Sequence, residues 1–262
     1  MKIIHLSDTH VDPEILHKID SQKRFKQALD HIKDNHTDAD HFMITGDLTH
    51  FGNDESYQIF IKILSEAGLP DHLYPKLILG NHDNRENFKK NFPNIKTDKN
   101  GFVQYVEKDS DKVFIFLDTN LANTDAGHLC DKRQQWFKDT LDREQKNKIY
   151  IFMHHNPLAI GHINSDSIGL VQREDLKKIF LQYQNSIEHI FFGHQHVTSS
   201  GKYLDITFSS PRSTWSPLIP NFLDRYRLGT ANTDPNYNIV LLEEDSFCLL
   251  YTSPSPRDVE ET

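Results

Sequence analysis

The sequence predicts an α/β fold, and three observations carry that prediction. Apolar runs of strand length alternate with amphipathic helical periods. The runs are short, β-branched or aromatic, and bounded by polar or glycine residues, as strands buried on both faces are. Five polar segments, each rich in metal-ligating side chains, directly follow these runs. Open α/β proteins carry their chemistry just beyond the carboxyl ends of their strands.

In chain order, strands are predicted at residues 2–7, 41–45, 76–79, 113–117, 149–153 and 189–192. Helices are predicted over 22–35, 55–67, 132–145 and 172–184. Phe25, Ala28, Leu29 and Ile32 recur at spacings of three and four, which gives the first helix one apolar face. Ile59, Ile63, Leu64 and Ala67 do the same for the second, and Gly68 stops it. Beyond Gly201, runs at 203–209, 238–243 and 247–251 follow one another without helices, which predicts antiparallel strands completing a second sheet. Residues 211–235, with four prolines, Gly229 and Trp215, read as one long loop that could serve as an arm or cap.

A chain of 262 residues can bury a substantial core, and residues 1–250 read as one domain. The net charge of -9 argues against a non-specific nucleic-acid binder. Only two cysteines, Cys130 and Cys248, are present, so a disulfide framework or a thiolate zinc site is not expected. The first apolar stretch is too short for a signal peptide and no run is long enough to span a membrane, so the expected location is cytoplasmic. Residues 251–262 lack apolar periodicity and are expected to be disordered. Residues 248–258 are similar to a translated sequencing-adaptor read-through, which implies a non-native tail.

The five segments are Asp8-Thr-His10, Gly46-Asp47, Gly80-Asn81-His82-Asp83, His154-His155 and Gly193-His194-Gln-His196. In extended chain, residues i and i+2 point the same way, so Asp8 with His10, and His194 with His196, can share one ion. Oxygen and imidazole donors without sulfur suit manganese, iron, zinc or cobalt. Asp8, His10, Asp47, Asn81, His154, His194 and His196 exceed the ligand count of a single tetrahedral zinc. Two ions roughly 3.5–4 Å apart use them all if Asp47 bridges, an arrangement that clamps a phosphoryl group. The ions outweigh Asp8, Asp47 and a bridging hydroxide, which favours an anionic substrate. His154 is the expected ligand of its pair, because neighbours in extended chain face opposite ways. His82 is the candidate catalytic residue, with Asp83 orienting it. The histidines outside these segments read as solvated or core residues.

Taken in order, the segments resemble the signature of the calcineurin-like metallophosphoesterases: Asp-x-His, Gly-Asp, Gly-Asn-His-(Asp/Glu), a histidine, then Gly-His-x-His. The resemblance implies a four-layer α/β/β/α sandwich of two mixed sheets with a dinuclear site at one edge. It implies one ion on Asp8, His10, Asp47 and His196, and the other on Asp47, Asn81, His154 and His194, with His82 catalytic. Asp8 lies near the start of the chain, Asp83 is followed by Arg85, and Met153-His-His-Asn-Pro157 is similar to a His-His-Pro-Pro segment, with Asn156 in place of a proline. These details resemble the bacterial branch of class III cyclic-nucleotide phosphodiesterases and glycerophosphodiesterases. That branch implies promiscuous hydrolysis of small anionic phosphodiesters, such as cAMP or glycerophosphodiesters, by a metal-bridging hydroxide. It also implies a homodimer or larger assembly, with no nucleic-acid polymer or membrane as partner. The alternative is a phosphomonoesterase or protein Ser/Thr phosphatase; a non-catalytic scaffold would be expected to lack ligands that this chain keeps. Arg85, Asn81 and His162 are the candidate substrate contacts, followed by Tyr57, Asn120 and Arg212.

Overall fold

The computed structural model describes residues 1–221, 223–224, 226, 228–230 and 233–252. Burial on both faces explains its apolar runs. β1 (Lys2–Leu6) is buried from Ile3 onward and pairs in parallel with β2 (His41–Ile44), which pairs in parallel with β3 (Lys76–Leu77). The parallel crossovers are helical: α1 (Ser21–Asn35) leads into β2 and α2 (Asp54–Glu66) into β3. Asp20 caps α1 by accepting from the Lys23 N–H, and Asn53 caps α2 by accepting from Ser56. α3 (Arg85–Asn91) follows the third polar segment and is capped by Asn84.

The second sheet starts with β4 (Tyr105–Asp109), antiparallel to β5 (Lys112–Phe116). β6 (Lys148–Phe152) and β7 (Ile187–Phe191) then add in parallel, after α4 (Asp131–Glu144), and after α5 (Ile163–Ser167) and α6 (Arg173–Tyr183), respectively. β8 (Ser199–Tyr203) and β9 (Ile206–Ser210) form a hairpin, and β9 lies parallel to β7. The predicted strand at 203–209 thus straddles a turn: Leu204 and Asp205 both have positive φ, as a two-residue hairpin turn requires.

The C-terminal strands do not all belong to that sheet. β10 (Leu218–Pro220) and β11 (Leu228–Thr230) pair only with each other, so the predicted long loop contains a small hairpin. β12 (Tyr237–Leu242) returns to lie antiparallel beside β1, and β13 (Phe247–Thr252) closes that edge. Tyr251 and Thr252, expected in a disordered tail, are paired in β13; residues 253–262 lie outside the described residues. The sheet orders are β13-β12-β1-β2-β3 and β4-β5-β6-β7-β9-β8, both mixed. Their inner faces share one core; a second core joins the other face of the six-stranded sheet to α4 and α6. Tyr105, Phe116, Phe152 and Phe191, in register on β4 to β7, stack at centroid distances of 4.5, 5.0 and 4.6 Å. This ladder floors the sheet just before the segments that carry His154 and His194. Among the described residues no helix is long and apolar enough to cross a membrane.

Candidate metal centre

All five polar segments meet at the carboxyl ends of β1, β2, β3, β6 and β7. They do not converge as extended chain. Asp8, His10, Asp47, His194 and His196 all have positive φ, between 44° and 69°. Left-handed backbone at non-glycine residues costs energy and persists only where surroundings over-determine it. The i, i+2 pairs do converge, but through tight left-handed turns. Gly80 explains how closely the segments pack: a Cβ there would lie 2.1 Å from Asp47 Oδ1. Gly46, at φ +91°, would meet His154 Nδ1 at 2.7 Å.

Asp8, His10, Asp47 and His196 each offer a ligand atom within 4.8 Å of the others. On the far side, Asn81 Oδ1 lies 3.1 Å from His154 Nε2 and 2.9 Å from His194 Nδ1. Asp47 joins the two groups. Its Oδ2 is 3.4 Å from His10 Nε2 and 3.4 Å from His154 Nε2, while its Oδ1 accepts from the His82 N–H. Main-chain carbonyls settle several tautomers. His154 Nδ1 donates to Thr45 O at 2.7 Å, His196 Nδ1 to Ser216 O at 2.8 Å, and His194 Nε2 to Ile168 O at 3.0 Å. Each ring therefore turns its other nitrogen, with a lone pair, inward. A set of inward lone pairs around two ionised carboxylates fits two divalent cations.

The electrostatics agree. Burial opposes ionisation of Asp8, but His196 and His154 outweigh it and take its pKa down to about 2. Asp47 meets the same penalty, and His154, His82 and His10 hold it well below the carboxylate range. Burial pushes His10 well below its ordinary value and His194 down to about 3. His154 rises to about 9 because Asp47 and Asp8 outweigh its burial, and Asp8 likewise raises His196. Protons thus hold the places that cations would take.

Residues 1–198 match the family model for calcineurin-like phosphoesterases. The chain belongs to the calcineurin-like phosphoesterase family. It is 28% identical over 250 residues to a probable cyclic nucleotide phosphodiesterase of Rhodopseudomonas palustris, which covers 94% of this chain and 89% of that one. A probable glycerophosphodiester phosphodiesterase of Arcobacter nitrofigilis is 28% identical over 219 residues, 80% of this chain and 78% of its own. The fold is similar to that of a dimetal phosphatase from Danio rerio, with a TM-score of 0.74 at 11% identity over 97% of this chain and 96% of that one.

Beside this phosphoesterase centre, on the Asn81 side, a cleft of about 430 Å³ is lined by Phe51, Asn81, His82, Asp83, Arg85 and Asn120, among others. His82 donates from Nδ1 to His50 O at 2.8 Å. Asp83 therefore does not orient the His82 ring. It is buried, and it accepts from Gly80 N, Leu48 N and the Tyr57 hydroxyl at 2.9, 3.1 and 3.0 Å, stapling two ligand segments together. Tyr57 is likewise buried and committed to Asp83. Arg85 lines the cleft, but its fork grips Asp118 at 2.7 and 2.8 Å and Asn120 O at 2.7 Å. Asn120 in turn donates to Gly80 O and Asp83 O. Both thereby brace the Asn81–His82 turn while also lining the cleft. His162 is fully buried at the N-cap of α5, the helix just before the Ile168 carbonyl that holds His194. It does not line the cleft. His155 packs 4.6 Å from His194, with its Nδ1 on the Thr119 hydroxyl. Asn156 accepts from the Gln195 amide at 2.5 Å, linking the fourth and fifth segments. Arg212 keeps a main-chain bond to Asn236 Oδ1 at 3.3 Å.

Sequence reasoning missed two contributors. Ser213 to Ser216, inside the supposed loop, back the first ligand group: the Ser213 hydroxyl and Trp215 N donate to Asp8 O. His50 was read as an ordinary histidine, yet its ring lies 4.7 Å from His82. Burial, then His82, pushes its pKa down to about 4.

Proposed function

We propose that this phosphoesterase hydrolyses small phosphodiesters, cyclic nucleotides or glycerophosphodiesters, with two divalent ions. Asp8, His10, Asp47 and His196 would hold one ion, and Asp47, Asn81, His154 and His194 the other, drawn from manganese, iron, zinc or cobalt. The observation that carries this reading is Asp47 Oδ2, equidistant from one histidine of each group. When bound, the ions supply a water of lowered pKa and neutralise phosphoryl charge. The protein's own groups do the rest. Asn81 spends its Oδ1 between two histidines and keeps its amide nitrogen as a donor. His82, with Nδ1 fixed on a carbonyl, presents Nε2 to the cleft; as the imidazolium it delivers the Nε2 proton to the leaving alkoxide as the P–O bond breaks and is left neutral. The names of the two bacterial relatives support diesters over monoesters. The exposed Ile219 and Tyr226, on and beside the β10–β11 hairpin, offer a face for a second copy, so a homodimer is proposed as well; a monomer in solution scattering would remove that part.

The test compares bis(p-nitrophenyl) phosphate, p-nitrophenyl phosphate, cyclic nucleotides and glycerophosphodiesters with each metal in turn. Diesters should be the better substrates, and alanine at Asn81 or His154 should abolish turnover. Intact diester turnover in either variant would sink the two-ion mechanism, and a strict preference for monoesters would sink the diester reading.

A further inference from the structure

Five histidines are candidate metal ligands or the candidate catalytic residue, and four of them lean on a main-chain carbonyl: His154 on Thr45, His194 on Ile168, His196 on Ser216 and His82 on His50. His10 is held differently. Its Nε2 faces Asp47 Oδ2 at 3.4 Å and His196 Nε2 at 3.1 Å, and its Nδ1 meets the Nδ1 of His50 at 3.3 Å. A neutral imidazole carries one N–H and one lone pair. Once Nε2 of His10 gives its lone pair to an ion, the proton must sit on Nδ1. His50 Nδ1 is then the acceptor, and the His50 proton lies on its Nε2.

We propose that His50 is a positioning residue of the first ion: its ring accepts the His10 Nδ1 proton while its main-chain carbonyl holds the candidate catalytic His82. One residue thereby couples the orientation of a metal ligand to that of a group at the cleft. The proposal rests on the two-ion reading of the centre, not on the identity of the ester. The rival account is packing, because the His50 ring also touches Phe51, His82 and Trp215 at centroid distances of 4.6, 4.7 and 5.3 Å.

Two substitutions separate these accounts. His50→Phe keeps an aromatic ring and removes the acceptor. His50→Asn puts an amide oxygen where Nδ1 was and removes the ring. Both keep the main-chain carbonyl, so the hold on His82 is common to them. The readout is cobalt(II) titration of the metal-free protein, followed by calorimetry and by the visible absorption of each ion. His50→Phe should weaken one of the two ions about 10–100-fold, the range for losing a ligand's supporting partner, and leave the other unchanged. His50→Asn should bind both as the parent does. The proposal is overturned if His50→Phe binds both ions normally, if both ions weaken equally, or if His50→Asn is impaired as much as His50→Phe. Should the phenylalanine variant not fold, His50→Ala carries the same expectation. Because affinity for cobalt alone is measured, failure of the diester reading leaves the result intact.

Discussion

Replacing Arg85 by alanine distinguishes a strut from a substrate clamp. The guanidinium makes three short hydrogen bonds, two to Asp118 and one to Asn120 O, and Asp118 is fully buried. Breaking a buried ion pair by removing one partner costs about 3–5 kcal/mol. Asp118 would not be stranded, because Arg133 Nη1 at 3.3 Å and the Val103 and Asn120 N–H groups at 2.9 and 3.0 Å remain. The lower end, about 3 kcal/mol, is therefore expected. At about 2–4 °C per kcal/mol for a chain of this size class, Arg85→Ala should melt about 6–12 °C lower. The Asn120 carbonyl loses a donor, so the strut under Gly80 and Asp83 loosens, and kcat should fall by about tenfold or more with KM little changed. Arg85→Lys retains the charge without the fork and should lie between. The assay is thermal melting at fixed metal, with steady-state kinetics on an aryl diester. A variant that melts within about 2 °C of the parent and shows only a raised KM would refute the strut and return Arg85 to the substrate.

Gly80→Ala places a Cβ 2.1 Å from Asp47 Oδ1, so it should lose bound metal while remaining folded; full metal content by elemental analysis would contradict this. Asp83→Ala leaves the buried Tyr57 hydroxyl and Gly80 N–H without their acceptor, and should cost about 2–4 kcal/mol in denaturant unfolding. In chelator, stability should peak near pH 6–7. His5 and His194 have folded pKa values near 3, below their unfolded value, so stability falls as pH drops below about 6.5, by ~1.4 kcal/mol per unit for each. His154, raised to about 9, stabilises fully below 6.5 and loses that contribution as pH rises through 9. Metal displaces the His154 proton, so the alkaline limb should flatten in metal-loaded melts. Chelation should also abolish hydrolysis, with activity returning on adding manganese, iron, zinc or cobalt.

Much of this was readable in the primary structure, for a physical reason. β1, β2, β5, β6 and β7 are buried on both faces and so are continuous apolar runs; α1 and α2 are half-buried and show one apolar face. β4 is Tyr-Val-Glu-Lys-Asp at a sheet edge, partly solvated, and carries no such run. α3 is short and mostly polar, and only its Asn84 cap marks it. At the site, donor types are visible as residue letters. Their supports are not, because Thr45, Ile168 and Ser216 act through main-chain carbonyls that any residue supplies. Proximity in sequence to His82 does not reveal Asp118, 33 residues from Arg85, or Leu48, 35 residues from Asp83, as hydrogen-bond partners of these two side chains.

The dispersal of the donors has a consequence for how the chain folds. Asp8, His10, Asp47 and Asn81 hang from the sheet of β1 to β3, and His154, His194 and His196 from the sheet of β5 to β7. No short stretch of unfolded chain offers more than two of them. Such long-range contacts form late, since loop closure must precede them. Metal therefore cannot nucleate this protein as zinc nucleates a finger. Bound metal would act as a rivet, driven once the two sheets have docked. Each ion held at a thousandfold excess over its dissociation constant would add about 4 kcal/mol against unfolding. Metal starvation would silence the enzyme and also remove this added hold, leaving the shared apolar core alone to join the two sheets.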